Sequence, residues 1–329
     1  MPDSGWKLVY EGFDPAREGL REALCTLGNG YFATRGAAEE AAADDVHYPG
    51  TYLAGGYNRL QTDIAGRVIE NEDLVNLPNW LPLTFRPEDG DWLNLRRVEL
   101  QDKRQEQGHE SGQFERRQRV RDAEGRETSL ASRRFVHMGL SHLAAMEVTL
   151  RPENWSGRAV VRTALDGRVI NAGVERYRQL NSKHLVPLET GTSSGDGILL
   201  VVETSQSRLR IAQAARTRLC RDGEPLSVER QIFEEEGLVG QELTFQATEG
   251  KAIAVEKVVA LFTSRDRAIS EPRQAAIRAI GDAESFERLL DSHVQAGRAL
   301  WDRCDIRLDG QAHTQMILRL HVFHLLQTV

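Results

Sequence analysis

HLAAMEVTLRPENWSGRAVVRTALDGRVINAGV, residues 142–174, decides how the chain is to be read. From His142 to Pro152 the side chains alternate: Met146, Val148 and Leu150 fall on one side of an extended segment, Glu147 and Thr149 on the other. That is a strand with one dry and one wet face. RAVVRTAL (158–165) and RVINAGV (168–174) follow, separated by Asp166-Gly167, a dipeptide that tolerates the positive φ of a tight two-residue turn. A β-hairpin is expected there.

Outward from this stretch the same language continues to about residue 265. Gly, Pro, Asn and Asp punctuate short β-prone runs, among them SLASRRFVHM, GILLVVETS, SRLRIAQAA, LTFQATE and AIAVEKVVALFTS. Such a succession predicts a mainly β fold, a large sandwich of antiparallel sheets. At Ser270-Glu271-Pro272 the period changes, because a Ser cap with Pro in the first turn starts helices; 272–280 are expected to be helical. Phe286, Leu289, Leu290, His293, Gly297, Leu300, Trp301 and Cys304 then recur at three- and four-residue spacing, one stripe of an amphipathic helix. In the last segment, QMILRLHVFHLLQTV, apolar residues go almost all the way round. A helix of that kind must be buried, by the sandwich or by protein beyond this sequence, and the second is expected. The segment is therefore also expected to drive self-association, and its deletion (312–329) to improve solubility.

Composition narrows the function classes. The 329 residues, 40% hydrophobic and 28% charged, are those of a globular chain. Lys plus Arg number 42 against 49 Asp plus Glu, a net −7, which argues against nucleic acid or an anionic membrane as partner. Three scattered cysteines, Cys25, Cys220 and Cys304, fit a reducing compartment. With neither a leader pattern nor an 18-residue apolar run, a cytoplasmic location is expected.

Most motifs have a plain reading. Gly28-Asn29-Gly30-Tyr31-Phe32-Ala33 formally satisfies a dinucleotide fingerprint, but the YFATRG that follows is β-prone rather than helical, so a tight turn between strands is expected. His321 and His324 stand three apart with no HExxH, and His137 and His142 are no better placed, so no metal is expected. There is no GxSxG elbow, no cysteine in a reactive context, and Glu234-Glu235-Glu236 reads as a solvated turn. No catalytic residue is therefore assigned. Residues 44–80 are the exception: Tyr48, Tyr52, Tyr57 and Trp80 lie among Asn, Gly and Pro. Aromatic faces beside amides suit a pyranose, whose C–H faces stack and whose hydroxyls hydrogen-bond. Pinning of a long loop explains the same composition equally well.

REALCTLGNGYFATRGAAEE, HYPGTYLAGGYNRL, NEDLVNLPNWLPLTF, RRFVHM, PENWSGR, ALDGRVIN and QMILRLHVFHLLQT, in that order along essentially the whole chain, resemble the N-terminal part of glycoside hydrolase family 65. That family holds inverting phosphorylases of maltose, trehalose and kojibiose and some trehalases. The resemblance implies a β-super-sandwich over 1–268, a helical linker over 269–311 and, at 312–329, the opening helix of an (α/α)6 barrel whose remainder finds no match here. In the family the barrel supplies the glutamic acid that protonates the glycosidic oxygen, while phosphate, or water in the trehalases, attacks from the opposite face. Phosphate is thus an implied co-substrate, no other cofactor is implied, and the chain alone is expected to be inactive. The implied partners are an α-linked glucose disaccharide and the missing barrel; sandwich loops also shape the family's dimer interface, which admits a homodimer. The substrate-proximal loops are expected at Tyr48, Tyr52 and Tyr57 and at Asn76, Asn79 and Trp80, with Arg35 structural and the arginines of 116–121 and 133–134 on wet strand faces. Two other readings stay open: a stand-alone carbohydrate-binding module, and a subunit completing a separately encoded barrel.

Overall fold

The computed structural model describes residues 5–172, 180–193, 195–267 and 271–328. In chain order the first elements are β1 (Lys7–Glu11), α1 (Pro15–Leu24), β2 (Leu27–Gly28), β3 (Phe32–Thr34), β4 (Thr51–Leu53), β5 (Tyr57–Ile64), β6 (Arg67–Leu74) and β7 (Leu83–Pro87). Longer strands follow: β8 (Glu99–Gly108), β9 (Gln113–Arg121), β10 (Glu127–Val136), β11 (Leu143–Pro152), β12 (Gly157–Asp166), β13 (Leu185–Thr192) and β14 (Gly197–Thr204). The last strands are β15 (Arg210–Arg221), β16 (Glu224–Pro225), β17 (Glu229–Glu235), β18 (Leu238–Ala247) and β19 (Ile253–Thr263), and three helices close the chain: α2 (Pro272–Asp282), α3 (Phe286–Cys304) and α4 (Ala312–Leu326).

All pairings are antiparallel. The large sheet runs β1-β8-β9-β10-β11-β19-β15-β14-β13, with β16 beside β15, and the sheet β17-β18-β12-β7 lies against it. The mainly β, antiparallel sandwich expected from the alternation is what forms. Strands β11, β14, β15 and β19 are covered on both faces, inside by the second sheet and outside by α2 and α3, where Leu199, Val201, Ala214 and Val258 meet Ala276, Ile280, Phe286 and Leu289. Their sequences accordingly read as apolar runs rather than strict alternation. Arg216 ties α2 down: its guanidinium donates to the Ile280 (2.5 Å) and Ala283 (2.7 Å) carbonyls, which the helix end leaves without intrahelical partners.

The expected hairpin at Asp166-Gly167 does not form. β12 pairs with β18 and β7 instead, Gly167 N–H donates to Gly237 O at 2.8 Å, and residues 168–172 are not a strand; 173–174 lie outside the described residues. Gly167 is there for close approach: a Cβ would sit 3.0 Å from Val202 Cγ1. A two-residue left-handed turn of the expected kind occurs instead at Asp222-Gly223 (φ 52° and 83°), between β15 and β16. Gly30 (φ 82°) serves the turn between β2 and β3, as GNGYFA suggested. The cap of α2 is Glu271, whose carboxylate accepts from the Arg273 and Gln274 amides; Ser270 lies outside the described residues.

Helix α4 is half covered. Leu320 and Phe323 are buried against the sandwich, Arg319 lies 3.6 Å over the Trp6 ring and pairs with Asp305 (2.9 Å), and His324 Nε2 lies 3.0 Å from Leu24 O. The opposite side stays open, with Ile317 and Leu325 exposed. Deleting 312–329 would thus uncover Trp6 and His109 rather than simply remove an apolar surface. No helix among the described residues is long and apolar enough to cross a membrane.

Candidate functional site: a charge-paired cleft beside the second sheet

A concavity of about 830 Å³ opens between the segment 39–49, the turn before β7 and the faces of β12, β17 and β18. Its walls are set by strand chemistry. β9 reads QFERRQRVR, so Phe114, Arg116, Gln118 and Val120 share the inner face while Arg117, Arg119 and Arg121 face solvent. Arg116 and Arg134 are therefore buried, a correction to the expectation that these arginines sit on wet faces. Arg116 pairs with Glu39 and Glu40, both at 2.7 Å, and Arg134 pairs with Glu39 at 3.3 Å and donates to Ala37 O at 2.6 Å. These bonds hold one cleft wall, and the inward Arg116 is legible from the Phe114/Val120 alternation.

The remaining acids of the cleft are also engaged. Glu242 pairs with Arg162, which stacks over the Trp92 ring (4.2 Å) and the Phe233 ring (5.3 Å). Asp166 and Glu235 both pair with Arg168, at 2.9 and 2.7 Å, so part of the acidic run 234–236 belongs to the cleft mouth. Asp44 accepts from the Val46 and His47 amides. Burial pushes the Glu40 carboxyl up, but the charge and hydrogen bonds of Arg116 outweigh it and hold the group well below the usual carboxylate range. Glycoside cleavage needs one carboxyl kept protonated near the bond and a second group opposite; carboxylates locked onto guanidinium groups do not supply that donor. Among the described residues Glu256 is the carboxyl resolved as shifted upward, by burial and then by Glu147, and it lies outside the cleft.

Lys257 braces the cleft from behind. It is fully buried between the sheets, its Nζ donates to Ala164 O (2.9 Å) and Pro82 O (3.2 Å), and burial lowers it to about 7.

The six aromatic-loop residues divide. Tyr48, Asn76 and Asn79 line the cleft. Tyr48 Oη donates to Ile170 O and accepts from Ala172 N–H. Asn76 is a cross-link, accepting from Thr51 N–H and donating to Pro49 O and Ile170 O. Asn79, 8% exposed, accepts from Leu81 N–H through Oδ1, while its Nδ2 has no hydrogen-bond partner among the described residues. Tyr52 is half-buried on β4, and Tyr57 sits 48% exposed at a smaller depression beside Arg59 and Glu72. Trp80 is 1% exposed and donates to Thr34 Oγ1 at 2.9 Å, a core position that leaves no ring face for stacking a ligand. Arg35 is structural, donating to Tyr48 O and Gly19 O.

The other candidates are structural as well. His137 bonds Ser292, and His142 stacks on Phe262. No group of three or more potential metal ligands assembles among the described residues. All three cysteines are free; burial pushes Cys25 up to about 12 and also raises Cys220 and Cys304, the reverse of a reactive thiol.

Comparison with known proteins agrees with this architecture. The family profile described as "Glycosyl hydrolase family 65, N-terminal domain" matches residues 8–300. An uncharacterised glycosyl hydrolase of Mycobacterium tuberculosis is 43% identical over 99% of this chain and 25% of its own length. Kojibiose phosphorylase of Caldanaerobacter subterraneus is 28% identical over 100% of this chain and 42% of its own, and trehalose 6-phosphate phosphorylase of Lactococcus lactis 26% over 99% and 41%. A solved candidate kojibiose phosphorylase from the human microbiome superposes with a TM-score of 0.85 at 19% identity, over 99% of this chain and 42% of that one. The chain thus spans a quarter to about two fifths of the length of these relatives.

Proposed function

We infer the function from the premise that this chain belongs to glycosyl hydrolase family 65, whose N-terminal domain it contains. We propose that it is the N-terminal portion of an inverting α-glucoside phosphorylase or hydrolase acting on a disaccharide of the kojibiose, trehalose or maltose type. In this reading 1–268 are the sandwich, 269–311 the linker and 312–329 the opening helix of an (α/α)6 barrel that carries the catalytic glutamic acid. Phosphate, or water in a hydrolase, is the co-substrate.

The observation that carries the reading is the two-sidedness of α4. One side is docked by Phe323, Leu320 and Arg319, while Ile317 and Leu325 on the other are exposed, joined by the exposed Ile306 and Leu308 just before the helix. Large apolar side chains on one open helix side are a surface for packing against further protein. The charge-paired cleft agrees, since it offers acids but no proton donor.

Incubation with kojibiose, trehalose and maltose, with and without phosphate, tests the proposal. No glucose or glucose 1-phosphate is expected from the 329-residue chain, and release is expected from a polypeptide in which it is followed by a barrel. Clear release by the chain alone would refute it.

A further inference from the structure

We propose that the cleft bounded by Tyr48, Asn79, Arg162 and Phe233 is a non-catalytic binding site for a neutral gluco-oligosaccharide of two or more pyranose units. It rests on the reading above, in which the chemistry lies elsewhere, and gives this domain a task of its own.

Volume comes first. About 830 Å³ lies in the range of small-molecule sites and exceeds what a monosaccharide fills. Charge comes next. The lining acids Glu39, Glu40, Asp166, Glu235 and Glu242 are paired with Arg116, Arg134, Arg162 or Arg168. Asp166 and Glu235 share the one Arg168, so the balance is slightly negative and an anion finds no uncompensated cation there. The pairs do present carboxylate lone pairs next to guanidinium N–H groups, and a vicinal diol, which donates and accepts at adjacent atoms, matches that alternation. Half-buried Tyr48 and Phe233 and buried Pro49 add apolar surface for the C–H faces of a sugar ring.

The decisive group is Asn79. Its Oδ1 is taken by Leu81 N–H, its backbone N–H by Asp166 O (2.7 Å), and its backbone O accepts from Asp166 N–H (3.0 Å). The side chain is thus rigidly held, more than nine-tenths buried, and lines the cleft with an Nδ2 that has no partner among the described residues. A fixed donor at the cleft surface can be met by a sugar hydroxyl or ring oxygen in an ordinary neutral hydrogen bond.

Calorimetric titration of the intact chain with maltotriose, kojibiose, trehalose and, separately, inorganic phosphate tests this. Saturable binding of the neutral sugars and none of phosphate is expected. Asn79→Asp keeps the acceptor for Leu81 N–H but removes the donor; affinity should fall about tenfold, the equivalent of one hydrogen bond, measured at a temperature where circular dichroism shows the variant folded. Asn79→Ala should lose affinity to the same extent, whatever its effect on the fold. No saturation up to tens of millimolar sugar, unchanged affinity in Asn79→Asp, or preferential binding of phosphate would overturn the site. Turnover of sugar by the chain alone would instead overturn the reading on which it rests.

Discussion

One sheet is finished in two ways. Along β14, β15 and β19 the inner face is mostly apolar, with Ile198, Leu200, Val202, Ile211, Val255 and Val259 packed against the second sheet and Gln213 and Lys257 as buried polar exceptions. Along β8, β9 and β10 the buried inward side chains include Lys103, Gln105, Gln107, Arg116, Gln118 and Arg134. That half is covered by α1 and the segment 35–50, whose acids meet it: Glu18 pairs with Lys103 at 3.1 Å, and Glu39 and Glu40 pair with Arg116. Apolar packing tolerates many sequences of the right volume, whereas ion pairs fix which residue lies opposite which. Much of the covering on the polar half is irregular chain and the cleft wall, where position counts most.

The contrast can be broken at its strongest point. Arg116→Met leaves buried Glu40 without a cation and Glu39 with Arg134 alone, and should cost about 3–5 kcal/mol, more than Leu200→Ala in the apolar half, for which about 2–4 kcal/mol is expected if the cavity partly collapses. Urea unfolding of the two variants measures the difference; equal or reversed losses would mean that both halves are held alike.

Acid should open a third region before either. Burial lowers His109, His137 and His293 to about 4 from 6.5, for His109 with help from His324 and Arg319 and for His293 from His137. These rings sit beneath α4 and α3, His109 against Phe323 and His137 bonded to Ser292. The unfolded chain binds more protons than the folded one between these values, so the contribution of these histidines is full above pH 6.5 and is lost as pH drops toward 4. Glu40, held below its ordinary value, keeps its contribution until the pH is lower still. Hydrogen exchange near pH 5 should therefore show α3 and α4 loosening while the 35–50 segment stays protected. Lys257, lowered to about 7 from 10.5, has the same sign further up: stability should go on rising with pH between those values.

The smallest effect concerns Trp80. Trp80→Phe deletes the bond to Thr34 and should cost about 0.5–1.5 kcal/mol with no change in sugar affinity; a loss of affinity without a loss of stability would return the indole to the cleft.

Which parts were legible follows from what local pattern encodes. Alternation in 142–152 and 113–121 reports which face each residue takes, and it also places Arg116 inward. Strand partners are not local: β12 meets β18, with Gly157 opposite Ala247. Asp166-Gly167 therefore looked like a hairpin turn, when the glycine serves packing against Val202. Tyr48, Asn76 and Asn79 reach one cleft, but the aromatic cluster did not reveal that Trp80 finds its polar partner 46 residues upstream, inside the core. Nor did any residue pattern announce that Nδ2 of Asn79 lacks a partner, since that depends on what the surrounding backbone leaves over.

The stacking of Arg162 on Trp92 gives the molecule an optical reporter. Of its five tryptophans, Trp80, Trp155 and Trp301 are enclosed, Trp6 lies under Arg319 at the α4 end, and Trp92 is the one stacked on a side chain that lines the cleft. Any occupant that shifts the guanidinium changes the surroundings of that indole alone, so the emission of a variant keeping only Trp92 follows occupancy of the cleft without an attached dye.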